Sequence, residues 1–434
     1  MSNVSIGLVG LAGLFALFAV RVPVGMSMLI TGVAGTLAIH GWKPAMSSLT
    51  SETFAISNFS QLIVLPMFVL MGNLAGATGM GRDLYSAAYT WIGQVRGGLA
   101  SATIVASACF AAMSGSSAAS AVTMGRVALP EMRRFRYDDS LATGTVAAGG
   151  TLGFLIPPSA GFIIYAILTD QSIGRLFLAG VIPGLILTAL FVIAITIMTY
   201  IYKDIGPAGP KTTFAAKIAA TRKSLGIVCV VLLVIGGMYF GIFTPVEASG
   251  IGAFLTFVVA ALRRRLTLPI INLVVIQTIR TCGTIFLILI GAYVFIPFMA
   301  LSQVPSMIVG YLLSFDLGPT GLLLIIIGTY IVLGCFMEGF SMMVLTLPIV
   351  LPLLAHMQVD LIWFGVVAII VIEMGLISPP VGLNVFIVKG IATDVPMSTI
   401  FRGIWPFWIA MAACIAILMV FPELALYLPR RMFH

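Results

Sequence analysis

Residues 149–159 read Gly149-Gly150-Thr151-Leu152-Gly153-Phe154-Leu155-Ile156-Pro157-Pro158-Ser159, and residues 375–384 read Gly375-Leu376-Ile377-Ser378-Pro379-Pro380-Val381-Gly382-Leu383-Asn384. Both stretches lie inside apolar runs. Pro-Pro removes two backbone donors and disfavours helix at the residue before it, so each run predicts a helix broken near its middle. Gly153, Pro157 and Pro158 stand 222 residues before Gly375, Pro379 and Pro380. The same offset joins Val22-Pro23-Val24 to Thr244-Pro245-Val246, Pro130 to Pro352 and Asp138 to Asp360; with one extra residue Pro183 matches Pro406. An offset held over so long a stretch points to two duplicated halves. A period of this size is far too long for a solenoid.

Around these runs the chain has 434 residues, 60% hydrophobic and only 8% charged, with mean hydropathy +1.16. A soluble domain carries roughly 25% charged residues, about three times as many. Apolar runs of crossing length recur from end to end, which excludes a soluble enzyme behind a signal peptide. A transmembrane barrel would show short alternating segments instead. The fold class is therefore an all-α polytopic membrane protein. Candidate spans are 6–20, 22–40, 61–78, 143–170, 176–202, 225–243, 246–262, 281–300, 362–388 and 404–425. Two further apolar stretches, 99–130 and 319–353, are interrupted by small residues or proline.

Lys and Arg exceed Asp and Glu by 22 to 14. In a membrane protein this excess belongs to cytoplasmic loops rather than to nucleic acid. Three clusters go inside: Arg133, Arg134 and Arg136; the polar segment 203–224; and Arg263, Arg264 and Arg265. Arg21, Arg82 and Arg96 join them only if 99–130 enters and leaves on that side. Residues 301–361 contain no Lys or Arg, so 319–353 enters and leaves from outside. Both stretches then become re-entrant hairpins of opposite orientation, with the N-terminus outside. Arg430 and Arg431 land outside, against the rule. The expected organisation is a first inverted repeat over 1–202 (spans 6–78, hairpin 99–130, interrupted helix 143–170, span 176–202) and a cytoplasmic linker over 203–224. A second repeat follows over 225–434 (spans 225–300, hairpin 319–353, interrupted helix 362–388, span 404–425). Inverted repeats with interrupted helices are a signature of secondary transporters.

The first hairpin runs Cys109-Phe110-Ala111-Ala112-Met113-Ser114-Gly115-Ser116-Ser117-Ala118-Ala119-Ser120. Its carbonyls and hydroxyls are the oxygen ligands a hard cation takes, and the helix that follows offers N–H groups to an anion. The same composition also suits a small-residue packing face. At the two breaks the freed carbonyls need partners, which an ion or cavity water can supply, although an ordinary proline kink reads alike. The second hairpin holds Gly334-Cys335-Phe336-Met337-Glu338-Gly339. Glu338, Glu247 and Glu373 are acids inside apolar runs, each a functional candidate or a structural hydrogen-bonder. The five cysteines have no metal-type spacing, and no Walker A, HExxH or GxSxG pattern is present.

With these residues the chain resembles the large membrane subunit of tripartite ATP-independent periplasmic transporters. The resemblance rests on Pro66-Met67-Phe68 through Gly72-Asn73-Leu74, Arg96-Gly97-Gly98-Leu99-Ala100, Ser114 to Ala119 and Leu129-Pro130-Glu131-Met132. Gly153 to Ser159, Phe243 to Ala248 and Thr346-Leu347-Pro348 complete it. Members of that family often carry Asp where Glu338 stands and Thr where Ser378 stands, and both exchanges keep oxygen chemistry. The resemblance implies an elevator-type ion-transporter fold in the bacterial inner membrane, with both hairpins on a domain that slides against a scaffold. It implies sodium, Na+, as coupling ion and a small organic acid as substrate, such as a C4-dicarboxylate or a sialic-acid-like sugar acid. It implies a periplasmic substrate-binding protein and a small four-helix membrane subunit as partners, the latter expected as a separate polypeptide covering spans 6–40 and 225–262.

On this reading substrate would meet Ser114, Ser116, Ser117, Pro157, Pro158, Glu338, Pro379, Pro380 and Asn384. Sodium would sit between each hairpin and its broken helix. One set is Gly115, Ser116 and Ser117 with Gly149, Gly150 and Thr151; the other is Gly334, Met337 and Gly339 with Gly375, Ser378 and Val381. A stand-alone elevator-type exchanger without partners is the alternative. A channel would need a continuous pore, and an intramembrane enzyme would need a nucleophile–base pair that the sequence does not show, so no catalytic residue is expected.

Overall fold

A computed structural model describes residues 2–432, and all regular structure among them is helical. Among the described residues seven helices are long and apolar enough to cross a bilayer, or eight if the bent pair Asp139–Leu155 and Ala160–Thr169 is one span. The expected spans 6–20 and 22–40 correspond to Asn3–Ala19 and Val24–His40, of 17 residues each. That length is at the lower end of what crosses a bilayer.

Trp42–Ser57 and Met80–Ile92 are among the helices that had no counterpart among the expected elements. Both mix polar and apolar residues, so no apolar run announces them. The polar segment 203–224 is partly helical. Thr213 accepts a hydrogen bond from the Ala216 N–H at 3.3 Å and opens the helix Phe214–Tyr239. A threonine cap before an alanine- and lysine-rich stretch favours helix there.

Each of the two interrupted apolar stretches and each of the two Pro-Pro runs forms a pair of helices. The first hairpin is Gly98–Ser114 followed by Ser117–Arg134, and the second is Pro319–Gly334 followed by Gly339–His356. The first broken helix is Asp139–Leu155 with Ala160–Thr169, and the second is Leu361–Leu376 with Leu383–Ile391.

The chain forms two compact units. One comprises Met1–Leu62, Ile279–Thr329 and Glu338–Leu361. In it Val24–His40 packs backbone to backbone on the later part of Leu268–Ser302. A Cβ on Gly25 would lie 2.4 Å from the Leu287 carbonyl oxygen, and one on Gly32 would lie 2.7 Å from that of Val294. Small residues permit such approach in membranes, where packing rather than water drives association.

The other unit comprises Ile63–Thr278, Tyr330–Met337 and Ile362–His434. The second hairpin is thus divided between the units, whereas the first hairpin and both breaks belong to this one. Its centre is Asp139–Leu155, buried from Leu141 to Leu155 and packed on both arms of the first hairpin and on Met397–Val420. At the hairpin base the Leu99 N–H donates to the Tyr137 phenol oxygen at 3.2 Å, and burial pushes that phenol up to about 12. Arg133 bridges Asp139 at 3.1 Å and Asp394 at 2.9 Å. The Arg133 hydrogen bond holds the Asp394 carboxyl below its ordinary range.

Asp83 opens Met80–Ile92 and meets two arginines from the end of Pro245–Leu262. Arg263 Nη1 lies 2.7 Å and Arg265 Nη1 2.8 Å from Asp83 Oδ2, and Asp83 is 9% exposed. In the last turn of Met80–Ile92, Trp91 Nε1 donates to Thr221 Oγ1 at 2.9 Å, while Lys217 Nζ stands 5.3 Å over its ring. Removing one partner of a largely buried ion cluster leaves the others uncompensated, at a cost of about 3–5 kcal/mol. Asp83→Ala should therefore lower the thermal unfolding midpoint by roughly 3–5 °C. The exposed neighbour Arg264→Gln should change it little; equal midpoints for both variants would refute the cluster's role.

Candidate functional site at the first hairpin and the two breaks

Gly115 takes a left-handed conformation, φ 57°, and closes the first arm through its N–H to the Ala111 carbonyl at 3.1 Å. Ser116 is extended and caps the second arm, its hydroxyl accepting from the Ala119 N–H at 3.4 Å. The Ser114 and Ser120 hydroxyls lie 2.8 Å apart and tie the arms together. Small polar residues therefore turn the chain and cap the helix in the same four positions.

This tip seats in the first break. The Ala160 N–H donates to the Gly115 carbonyl at 3.2 Å, and a Cβ on Gly115 would lie 3.0 Å from the Pro158 carbonyl oxygen. Ser159 rebuilds the helix after the prolines by accepting from the Gly161 N–H at 3.2 Å. On the other side, a Cβ on Gly153 would lie 2.5 Å from the Ser116 carbonyl oxygen and 2.7 Å from Ser120 Oγ. Gly150 faces Ala121 and the Ser117 carbonyl, and Gly149 faces Ser107 on the first arm. The Thr151 hydroxyl instead turns back to the Ala148 carbonyl at 2.6 Å. Gly153 and Ser159, rather than Thr151, thus touch the tip. Pro157 and Pro158 are both buried.

The second broken helix reaches the same tip. Ser117 Oγ donates to Glu373 Oε1, and Glu373 is 1% exposed. The sequence signal for Glu373 was its position as an acid in an apolar run just before the break; its partner, 256 residues away, had none.

At the second break, Gly334 and Gly375 pass at backbone distance, and a Cβ on Gly375 would lie 2.7 Å from the Gly334 Cα. The Gly382 N–H donates to the Cys335 carbonyl at 3.4 Å. Ser378 Oγ donates to the Met374 carbonyl at 2.7 Å and accepts from Trp408 Nε1 at 2.9 Å, a partner that no spacing pattern indicated. Pro379 and Pro380 are exposed and Val381 is half-buried. Asn384 is 2% exposed, and its Nδ2 has no hydrogen-bond partner among the described residues. A buried amide in that state is set to donate to something that enters.

Met337 is half-buried in the loop after Gly334. In the other unit Glu338 caps Gly339–His356, its Oε2 lying 3.4 Å from Ser341 Oγ, and Gly339 begins that helix. Glu247 forms a capping box with Thr244, which meets the structural reading of that acid. The groups gathered at the two breaks are backbone carbonyls, hydroxyls, one carboxylate and one amide. Such an oxygen set fits a hard monovalent or divalent cation.

The model of the DctM component of tripartite ATP-independent periplasmic transporters matches residues 11–424. A C4-dicarboxylate large permease protein of this transporter type from Pseudomonas aeruginosa is 32% identical, covering 92% of this chain and 93% of its own. A sialic acid large permease protein from Vibrio cholerae is likewise 32% identical, covering 94% and 95%. Among solved structures, the YdaH transporter of Alcanivorax borkumensis superposes with a TM-score of 0.63 at 12% identity, over 90% of each chain.

Proposed function

The chain belongs to the DctM component family of tripartite ATP-independent periplasmic transporters, and from that premise we propose that it couples sodium entry to uptake of a small organic acid. The observation that carries the reading is the first hairpin tip seated in the first break, held by Gly115 and Ser116 against Pro158, Ala160 and Gly153. Sodium would take carbonyl and hydroxyl oxygens of Gly115, Ser116 and Ser117 with Gly149, Gly150 and Thr151 at one break. At the other it would take those of Gly334 and Met337 with Gly375, Ser378 and Val381, which share one unit. The ion would supply positive charge beside the substrate.

The Asn384 amide, buried with an unused donor group, suits a carboxylate oxygen. Two relatives are named for a C4-dicarboxylate and for sialic acid, and both substrates carry carboxylates. Ser114, Ser116, Ser117 and the two Pro-Pro breaks would shape the rest of the pocket. Substrate would be delivered by a periplasmic binding protein, and a small four-helix subunit would hold the scaffold in the inner membrane. The two repeats, inverted with respect to each other, would support an elevator movement of the body that carries the breaks.

The test is reconstitution in liposomes under an inward sodium gradient. The chain with its small subunit and loaded binding protein should accumulate substrate, and the chain alone should accumulate little. Robust sodium-driven uptake by the chain alone would favour the stand-alone exchanger. A narrower test is Ser378→Ala. Loss of one hydroxyl contact, about 1 kcal/mol, should raise the sodium needed for half-maximal uptake roughly fivefold. Intact transport with unchanged sodium dependence would remove Ser378 from the site.

A further inference from the structure

The helix Phe214–Tyr239 packs on Met80–Ile92 and Pro245–Leu262 but scarcely touches Gly98–Ser114 or Ile173–Ile201. The gap it leaves is a cavity of about 490 Å³ running from Ile227 to Tyr239, closed at its back by Ala112 of the first hairpin and Pro157 of the first break. This is roughly three times the volume of an engineered apolar cavity that takes up benzene. Its lining is almost wholly hydrocarbon and offers no set of polar partners to retain water.

Three observations say what fills it. First, shape: twelve helical steps from Ile227 to Tyr239 make a slot about 18 Å long. Half of a ~30 Å hydrocarbon core is ~15 Å, the depth of one leaflet. Second, access: the slot opens between two candidate spans, past Leu185 and Leu232, which are 62% and 64% exposed. Third, energetics: in a bilayer no hydrophobic force closes such a gap, while an empty one forfeits dispersion contact along its whole wall.

We propose that this slot holds one acyl chain of a membrane phospholipid, lying along Val231 and Ile235 with its side against Ala112 and Pro157. The chain is then a structural part of the wall behind the first break, and its site is separate from the oxygen-lined face of the hairpin tip.

The proposal is tested with the purified full-length chain in vesicles of phosphatidylcholine doped with phosphatidylcholine that carries a photoreactive diazirine in the middle of one acyl chain. After irradiation, adducts are mapped by peptide mass spectrometry. Adducts on Ala112, Val231 and Ile235 are expected at about five times the yield on Ile193 and Phe254, outward residues of neighbouring spans, because the seated chain stays in contact. Equal yields on both sets would overturn the proposal. Val231→Phe, which narrows the slot where the acyl chain would lie, should lower the Ala112 yield toward that of Phe254 without moving the unfolding midpoint. Enrichment at Ala112 that survives Val231→Phe in the folded protein would equally overturn it.

Discussion

On the proposed sodium coupling, Gly153→Ala should raise the sodium concentration for half-maximal uptake about fivefold or more, while Gly250→Ala leaves it unchanged. At Gly153 the added methyl would stand 2.5 Å from the Ser116 carbonyl oxygen. The obstacle is backbone and cannot rotate aside, so the hairpin tip or the broken helix has to move. Overpacking of this kind costs about 1–3 kcal/mol, equivalent to roughly a 5- to 150-fold weakening of whatever the undisturbed junction binds. At Gly250 no atom lies within 4 Å of the added methyl. The sign is informative, because alanine is the better helix former by about 0.8–1 kcal/mol. A site without crowding would gain stability from the exchange. Wild-type sodium dependence in Gly153→Ala, with normal uptake, would show that the tip–break junction does not hold the ion.

The second large effect is expected at Glu373. Its carboxylate accepts the Ser117 hydroxyl from inside the core, linking the first hairpin to the second broken helix. Glu373→Ala removes the acceptor and opens a void, leaving a buried hydroxyl at a cost of about 1–3 kcal/mol in addition to lost packing. Uptake should fall at least about tenfold at fixed sodium. Glu373→Gln keeps an acceptor oxygen and the volume, and should retain most of the rate. Equal activity of Glu373→Ala and wild type would dissociate the contact from transport. Equal loss in Glu373→Gln and Glu373→Ala would assign the effect to the charge rather than to the hydrogen bond.

The parts of this architecture that depend on backbone chemistry were readable from residue types alone. Two Pro-Pro pairs at one offset announced the breaks, because proline cannot donate and restricts the residue before it. Gly115 and the serines around it announced the hairpin turn for a similar reason. What could not be read depends on distant pairing. Nothing local marks Glu373 as the partner of Ser117, or Trp408 as the donor to Ser378, since each contact is set by how whole helices pack. Thr151 and Gly153 look equally suited to face the hairpin in one dimension. Only the rotation of Asp139–Leu155 about its axis decides that Gly153 does so and that the Thr151 hydroxyl turns inward. The helix Met80–Ile92 escaped for another reason: its buried face includes Asp83 and Gly81, so hydropathy alone does not reveal it.

The ring of Trp91, fixed between Lys217 and Thr221, also acts as a waterline for the molecule. Indole side chains settle at the headgroup level of a bilayer. From Thr221 the helix Phe214–Tyr239 runs eighteen steps to Tyr239, about 27 Å, and ends on a second amphipathic ring. That distance is close to the ~30 Å thickness of the hydrocarbon layer. On that spacing the two rings would flank the hydrocarbon layer, and Lys217, one turn before Thr221, would lie among the headgroups. A bilayer several ångströms thicker must thin around this span or tilt it, at fractions of a kcal/mol per Å. The depth of this helix in a bilayer would then follow from the Trp91 hydrogen bond near one end and Tyr239 at the other.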